Sequence, residues 1–329
     1  MAKARSDLYY YTPSLPLAIT SAAVFSIFLA IHTYRLFRTK TWFCTPFVIG
    51  ALCEVIGFSA RAYSHYHKTY SRTNAGPLVA LIVQACLILL APLLYAASVY
   101  MFLGRIIHAT GHTTLSPIPI RYLTKIFVWA DIICINLQST GASLFTNAKG
   151  KASMVSLGKT IVLVGLVAQI FTFGLFVYVA VMWHYRVKKN ACGGRRNAVE
   201  GFEWERYVGL LYVVSVIITF RNLFRVAEYA MGEEGYLNAN EWPTYAFDAL
   251  PMAVVLTICA FWYVGNIYAP LEQNRESLEM MVDGEQPGVE GNGRGKNEKK
   301  ADAFDIAINV FFLGIPWLFG KVTKVVKGK

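Results

Sequence analysis

The sequence predicts an all-α polytopic membrane protein, a bundle of seven transmembrane helices with its N-terminus outside and its C-terminus in the cytoplasm. Three observations carry that reading. The 329-residue chain is 55% hydrophobic and only 16% charged, with a mean hydropathy of +0.42, whereas a soluble domain needs more charge to face water. Its apolar residues come in blocks close to the ~20 residues that a helix needs to cross a ~30 Å hydrocarbon layer. Its basic residues favour alternate connections between the blocks.

The blocks place spans at 14–34, 41–63, 77–103, 123–145, 156–183, 207–228 and 244–268. Pro16, Pro77 and Pro243 open three of them, where a missing N–H costs little. Pro92 and Pro251 fall inside spans and predict kinks whose freed carbonyls neighbouring helices must satisfy.

Orientation follows from the connections. Arg35, Arg38, Lys40, Arg105, Arg121, Lys125, Arg186, Lys188, Lys189, Arg195, Arg196 and Arg206 lie in the first, third and fifth loops. On the opposite side are Lys3, Arg5, Lys68, Arg72, Lys149, Lys151 and Lys159, so twelve basic residues stand against seven. The richer side is cytoplasmic. The N-terminal stretch, residues 1–13, lacks the charge–apolar–cleavage order of a signal peptide, so the first helix is expected to act as an uncleaved signal.

The character changes after the seventh span. Residues 269–302 are rich in Glu, Gly, Asn and Lys and read as a disordered cytoplasmic linker. Residues 303–329 hold the short apolar run AFDIAINVFFLGIPWLF with lysines around it. It reads as an amphipathic helix on the membrane surface with a basic tail, drawn to anionic inner-leaflet lipids. An eighth span and a partner-binding helix are the alternatives.

Composition also narrows the chemistry. The net charge of +11 sits in loops and tail, with no basic, aromatic-interleaved soluble domain that would bind nucleic acid. The cysteines at 44, 53, 86, 134 and 259 lie in apolar blocks and Cys192 in a basic loop, which is not a disulfide framework. Histidines occupy loops or helix ends, and neither HExxH, GxSxG nor a Walker A sequence occurs. No lysine in the seventh span is available for a retinal Schiff base. The expectation is a protein that is not an enzyme, with no catalytic residues, no metal and no cofactor.

Against this background the charged residues inside spans stand out, since a charge near the bilayer centre costs roughly 3 kcal/mol on insertion scales. They are Glu54 and Arg61 in the second span, Asp131 in the fourth, Arg221, Arg225 and Glu228 in the sixth, and Asp248 in the seventh. Glu54 and Arg61 are seven apart and share a helix face. Arg221, Arg225 and Glu228, spaced four and then three, form one polar stripe with a built-in ion pair. At ~1.5 Å per residue, Glu54, Arg221 and Asp248 all fall about 20 Å above the inner boundary. A buried charge network between the second, sixth and seventh spans is expected, opening toward the outer leaflet. It is read either as a wet or ligand-filled cavity or as a lock between helices. Asp131 and Gln138 make another i, i+7 pair, for which interhelical hydrogen bonding beside Ser139, Gly141, Ala142 and Ser143 competes with ligand contact. Tyr95, Ser98 and Tyr100 read as core.

The segments that carry these residues resemble the fungal RTA-like family, also called lipid-translocating exporters. They are EVIGFSAR at 54–61, LLAPLLYAASVYMFLGRII at 89–107, ADIICINLQSTGAS at 130–143, FRNLFRVAEYAMGEEG at 220–235 and EWPTYAFDALPM at 241–252. The likeness runs from about Tyr10 to Pro270. It implies seven spans, an outside N-terminus, and export of or tolerance to amphipathic molecules such as sphingoid bases, toxic sterols or porphyrins. It also implies a plasma-membrane location, with vacuole or endoplasmic reticulum as alternatives. Its signature falls on Glu54, Arg61, Asp131, Gln138, Arg221, Arg225, Glu228 and Asp248 as substrate-binding or translocation residues. Two functions suit the topology: a transporter of a lipid or amphipathic small molecule, and a seven-helix receptor that senses one.

Overall fold

The computed structural model describes residues 14–39, 41–66, 76–110, 113–146, 152–191, 204–231 and 236–261, and among them it is helical with no strand. Seven long helices follow the predicted blocks: α1 (Leu15–Thr39), α2 (Thr45–Tyr66), α3 (Gly76–Ala109), α4 (Ile120–Thr146), α5 (Ala152–Ala191), α6 (Trp204–Met231) and α7 (Trp242–Phe261). Pro16, Pro77 and Pro243 each stand second in their helix, the first turn that tolerates a missing donor. The helices overrun the apolar blocks. At 40 residues, α5 is about 60 Å long and extends past the apolar block to Lys188 and Lys189. The linker expected at 269–302 and the surface helix expected at 303–329 lie outside the described residues.

Six of these helices are long and apolar enough to cross a membrane; α4 does not meet that standard over its length. The reason is its sequence: Arg121, Lys125, Asp131, Asn136 and Gln138 interrupt the apolar run.

Burial separates the helices into two kinds. Every residue from 90 to 104 is buried, so α3 is apolar all round because protein surrounds it. By contrast α1, α5 and α6 carry large apolar side chains that face outward, among them Ile27 (60% exposed), Phe171 (68%) and Val216 (68%). Such faces suit hydrocarbon rather than water. Several exposed aromatics lie toward the helix ends, with Tyr34, Phe37, Trp42, Tyr122 and Tyr185 at one end of the bundle and Tyr63, Tyr236 and Trp242 at the other, where membrane interfaces favour them.

Contacts define those two ends. At the Ser14 end, the Ser14 backbone N–H donates to Glu241 Oε2 (2.7 Å), joining the starts of α1 and α7. At the Thr39 end, Arg35 donates to the Ala260 carbonyl, capping the last turn of α7. The most extensive helix pairings are α4 with α5 and α2 with α3.

Candidate functional site

Two glycines bring α2 onto α3. A Cβ on Gly50 would lie 2.6 Å from Tyr95 Cε1 and 3.1 Å from the Ala91 carbonyl oxygen, and one on Gly57 would lie 2.8 Å from Ile88 Cγ1. Glycine lets the helices approach this closely, and Glu54, between the two on the same face, is carried into the contact.

Two prolines open the backbone on which the charges gather. Pro92, inside α3, lacks the N–H that would bond the Ile88 carbonyl four residues back. Arg221 Nη2 donates to that carbonyl at 3.0 Å, supplying the donor that the proline removes. In α7, Pro251 would clash with the carbonyl of Phe247 in a regular helix. The chain widens into a π-helical turn over Tyr245–Ala249 just before it, with the Leu250 N–H reaching the Tyr245 carbonyl. That turn carries Asp248.

Asp248 is 1% exposed and is gripped by two arginines. Arg221 Nε donates to its Oδ1 (2.5 Å), and Arg225 Nη2 donates to its Oδ2. Arg225 Nη1 also donates to Glu228 Oε2 (2.9 Å), the i, i+3 pair of the α6 stripe. Two guanidiniums and two carboxylates thus balance. Glu54 is the fifth group. It is 1% exposed, has Asp248, Arg221 and Arg225 as electrostatic neighbours, and its Oε2 has no hydrogen-bond partner.

Arg61 stands apart from this cluster, two helical turns toward the Ser14 end. It pairs with Glu241 (Nη2–Oε1 3.1 Å), donates through Nε to the Tyr245 hydroxyl at 3.0 Å, and sits over the Tyr245 ring, 5.3 Å from its centroid. Glu241 was not among the residues expected at the site. The signal was available: Glu241, which precedes α7, and Asp248 are seven apart, matching Arg61 and Glu54 on antiparallel α2. The two intervals build two rungs, Arg61 with Glu241 and Glu54 beside Asp248.

Asp131 and Gln138 go elsewhere. Asp131 Oδ2 accepts from the Tyr100 hydroxyl (2.8 Å) at the α3–α4 contact, and its Oδ1 has no partner. Gln138 Nε2 donates to Gln169 Oε1 (2.9 Å) at the α4–α5 contact. The structure therefore groups Arg221, Arg225, Glu228 and Asp248, sets Glu54 against them, and leaves Arg61, Asp131 and Gln138 in separate contacts.

An open-sided cleft lies toward the Thr39 end, between α1, α2, α3, α6 and α7. Phe47, Val99, Phe102, Leu211 and Val214 make it apolar, with His32, Ser98, Cys44 and Cys259 on its walls. His32 Nε2 is within 3.1 Å of the Leu256 carbonyl oxygen. Among the described residues no group of three or more His, Cys, Asp or Glu is placed to hold a metal ion.

Residues 47–270 match the family described as RTA1 like protein. Among relatives from Saccharomyces cerevisiae, Protein RTA1 is 29% identical over 306 residues, covering 85% of this chain and 92% of its own length. Protoporphyrin uptake protein 1 is 27% identical over 302 residues, 81% of this chain and 95% of its own. Sphingoid long-chain base transporter RSB1 is 26% identical over 296 residues, 80% of this chain and 75% of its own. No solved structure matches the chain. With six membrane-capable helices and a family match over most of its length, the chain is an integral membrane protein and belongs to the RTA1-like family.

Proposed function

We propose that the protein is a non-enzymatic exporter that moves amphipathic, lipid-like molecules between the leaflets and confers tolerance to them. The candidates are sphingoid bases, sterol-like toxins and porphyrin-type compounds, two of which match the printed names of relatives. In this reading all seven helices span the membrane. The polar helix α4 is 27 residues long, about 40 Å, and packs between α3 and α5. The Ser14 end faces outward, in keeping with the basic-residue count, and the plasma membrane is the expected location.

The charged site comprises Glu54, Arg61, Arg221, Arg225, Glu228 and Asp248 and opens toward the outer leaflet, with Asp131 and Gln138 supporting the bundle beside it. One observation carries the reading. Glu54 is a buried carboxylate with an unpartnered oxygen in a cluster whose other four charges are paired. A lock between helices needs no fifth charge, and an uncompensated one is costly. A proton or the head of a cargo molecule supplies what is missing.

The test is flux in liposomes reconstituted with purified protein, using a fluorescent long-chain base and a fluorescent sterol as cargo. Glu54→Gln is expected to reduce flux at least tenfold while keeping the yield and melting midpoint of the unaltered protein, because Oε2 has no hydrogen bond to lose. Wild-type protein that binds cargo and moves none would be a receptor.

A further inference from the structure

Four buried oxygens lie between the ion cluster and the cleft, and none has a partner: Glu54 Oε2, the Tyr95 hydroxyl, Ser98 Oγ and Ser215 Oγ. All four residues are at least nine-tenths buried. Buried polar groups are nearly always satisfied, so four orphans in one seam call for an occupant.

Helix geometry connects them. On α3, Phe102, Ser98 and Tyr95 succeed one another at turn spacing toward the Ser14 end, and Ile88, which binds Arg221, follows two turns on. On α6, Leu211 and Ser215 share the face that ends at Arg221 and Asn222, all of them buried. Phe47 lines the cleft on α2, and Glu54 lies two turns above it. Phe47 packs against Tyr95, with ring centroids 4.9 Å apart, and Tyr95 has Glu54 and Cys259 among its electrostatic neighbours. Helices α3 and α6 therefore show the same order, apolar cleft, then unpartnered oxygens, then the Arg221 contact, and on α2 Glu54 stands above the cleft.

We propose that the cleft is the binding site for a single-tailed amphiphile whose head donates hydrogen bonds. The tail lies among Phe47, Phe102 and Leu211, and the head rests against Ser98, Ser215, Tyr95 and Glu54. The band favours donors: it offers a carboxylate and three hydroxyls, all able to accept, and no unpaired cation for a phosphate. Beyond the band lie the Arg221–Asp248 and Arg61–Glu241 pairs. This site deepens the exporter reading, and rests on it only in treating the occupant as cargo.

Thiol protection tests the site directly. Cys44 and Cys259 line the cleft, while Cys86 is similarly half-buried and lies outside it, giving an internal control. The full-length protein in detergent is treated with N-ethylmaleimide in the presence of octadecylamine, octadecanol, octadecanoate or octadecane, and labelling rates are read by peptide mass mapping. Octadecylamine and octadecanol are expected to slow labelling of Cys44 and Cys259 at least tenfold and leave Cys86 unchanged. Octadecanoate, which sets a carboxylate against Glu54, is expected to need at least tenfold higher concentration. Ser98→Ala, a small change that keeps the fold, is expected to weaken protection by octadecylamine about fivefold. Protection by octadecane as strong as by octadecylamine, slowing of all three thiols alike, or no slowing at saturating octadecylamine overturns the proposal. Protection without flux in liposomes upholds the site and removes the exporter reading, so the two fail separately.

Discussion

Asp248→Asn is expected to destabilise the bundle by about 3–5 kcal/mol, as removal of one partner from a buried ion pair does. One carboxylate serves two arginines here, and neither can turn to water: Arg221 is 1% exposed and the Arg225 side chain 12%. Asparagine offers one acceptor oxygen where the carboxylate offers two, and it carries no charge. Glu228 still pairs with Arg225, so the uncompensated charge falls on Arg221. A drop in melting midpoint on the order of 10 °C follows for a protein of this size, measured by differential scanning fluorimetry in detergent. Glu54→Gln in the same assay is expected to stay within about 1 kcal/mol, since it breaks no hydrogen bond. If the two variants melt together, the distinction between a paired core and an unpaired fifth charge is wrong.

The second large effect is expected at Gly141. A Cβ there would lie 2.7 Å from the Gly158 carbonyl oxygen and 2.8 Å from the Val162 amide nitrogen. Both are backbone atoms of α5, so no side chain can swing aside and the helices must move apart. Gly141→Ala is expected to cost about 1–3 kcal/mol, as overpacking does, and Gly141→Leu to prevent accumulation of folded protein. The separation would also stretch the Gln138–Gln169 hydrogen bond (2.9 Å). Gly174 provides the opposite case. Nothing lies within 4 Å of a Cβ there, so Gly174→Ala should stabilise α5 by up to about 1 kcal/mol through helix propensity alone. Equal melting of Gly141→Ala and Gly174→Ala would mean that α4 and α5 are not in the close contact described.

The long helices were legible because their signals are local. Apolar blocks mark them, and Pro16, Pro77 and Pro243 mark three starts. The ion pair of Arg225 with Glu228 was equally visible, since i, i+3 spacing on one helix needs no tertiary information. Pairings across helices were harder. Equal depth placed Arg221 near Asp248, but depth cannot choose among carboxylates on neighbouring helices, and Arg61 goes to Glu241, not to the network with Glu54. The Ile88 carbonyl carries no side-chain signal at all; only Pro92 hinted that a carbonyl there would want a donor. The π-helical turn under Asp248 was read as a kink at Pro251, because a proline shows that a helix must change but not how. Tyr95 and Ser98 passed for ordinary core, since sequence shows that an oxygen is buried but not that it lacks a partner.

The burial of α3 bears on how the chain is made. A helix with no lipid-facing side over residues 90–104 is synthesised third, yet its neighbours α6 and α7 come last. Until they arrive, the Ile88 carbonyl lacks Arg221, and Glu54 sits at the α2–α3 contact with no arginine near it. The nascent protein must therefore hold an unanswered carbonyl and a lone carboxylate in the bilayer while some hundred residues are still to be added. That interval is when membrane chaperones or the insertion machinery would shelter it. A chain released after α5 should be degraded rather than stored, even though its five helices are each complete.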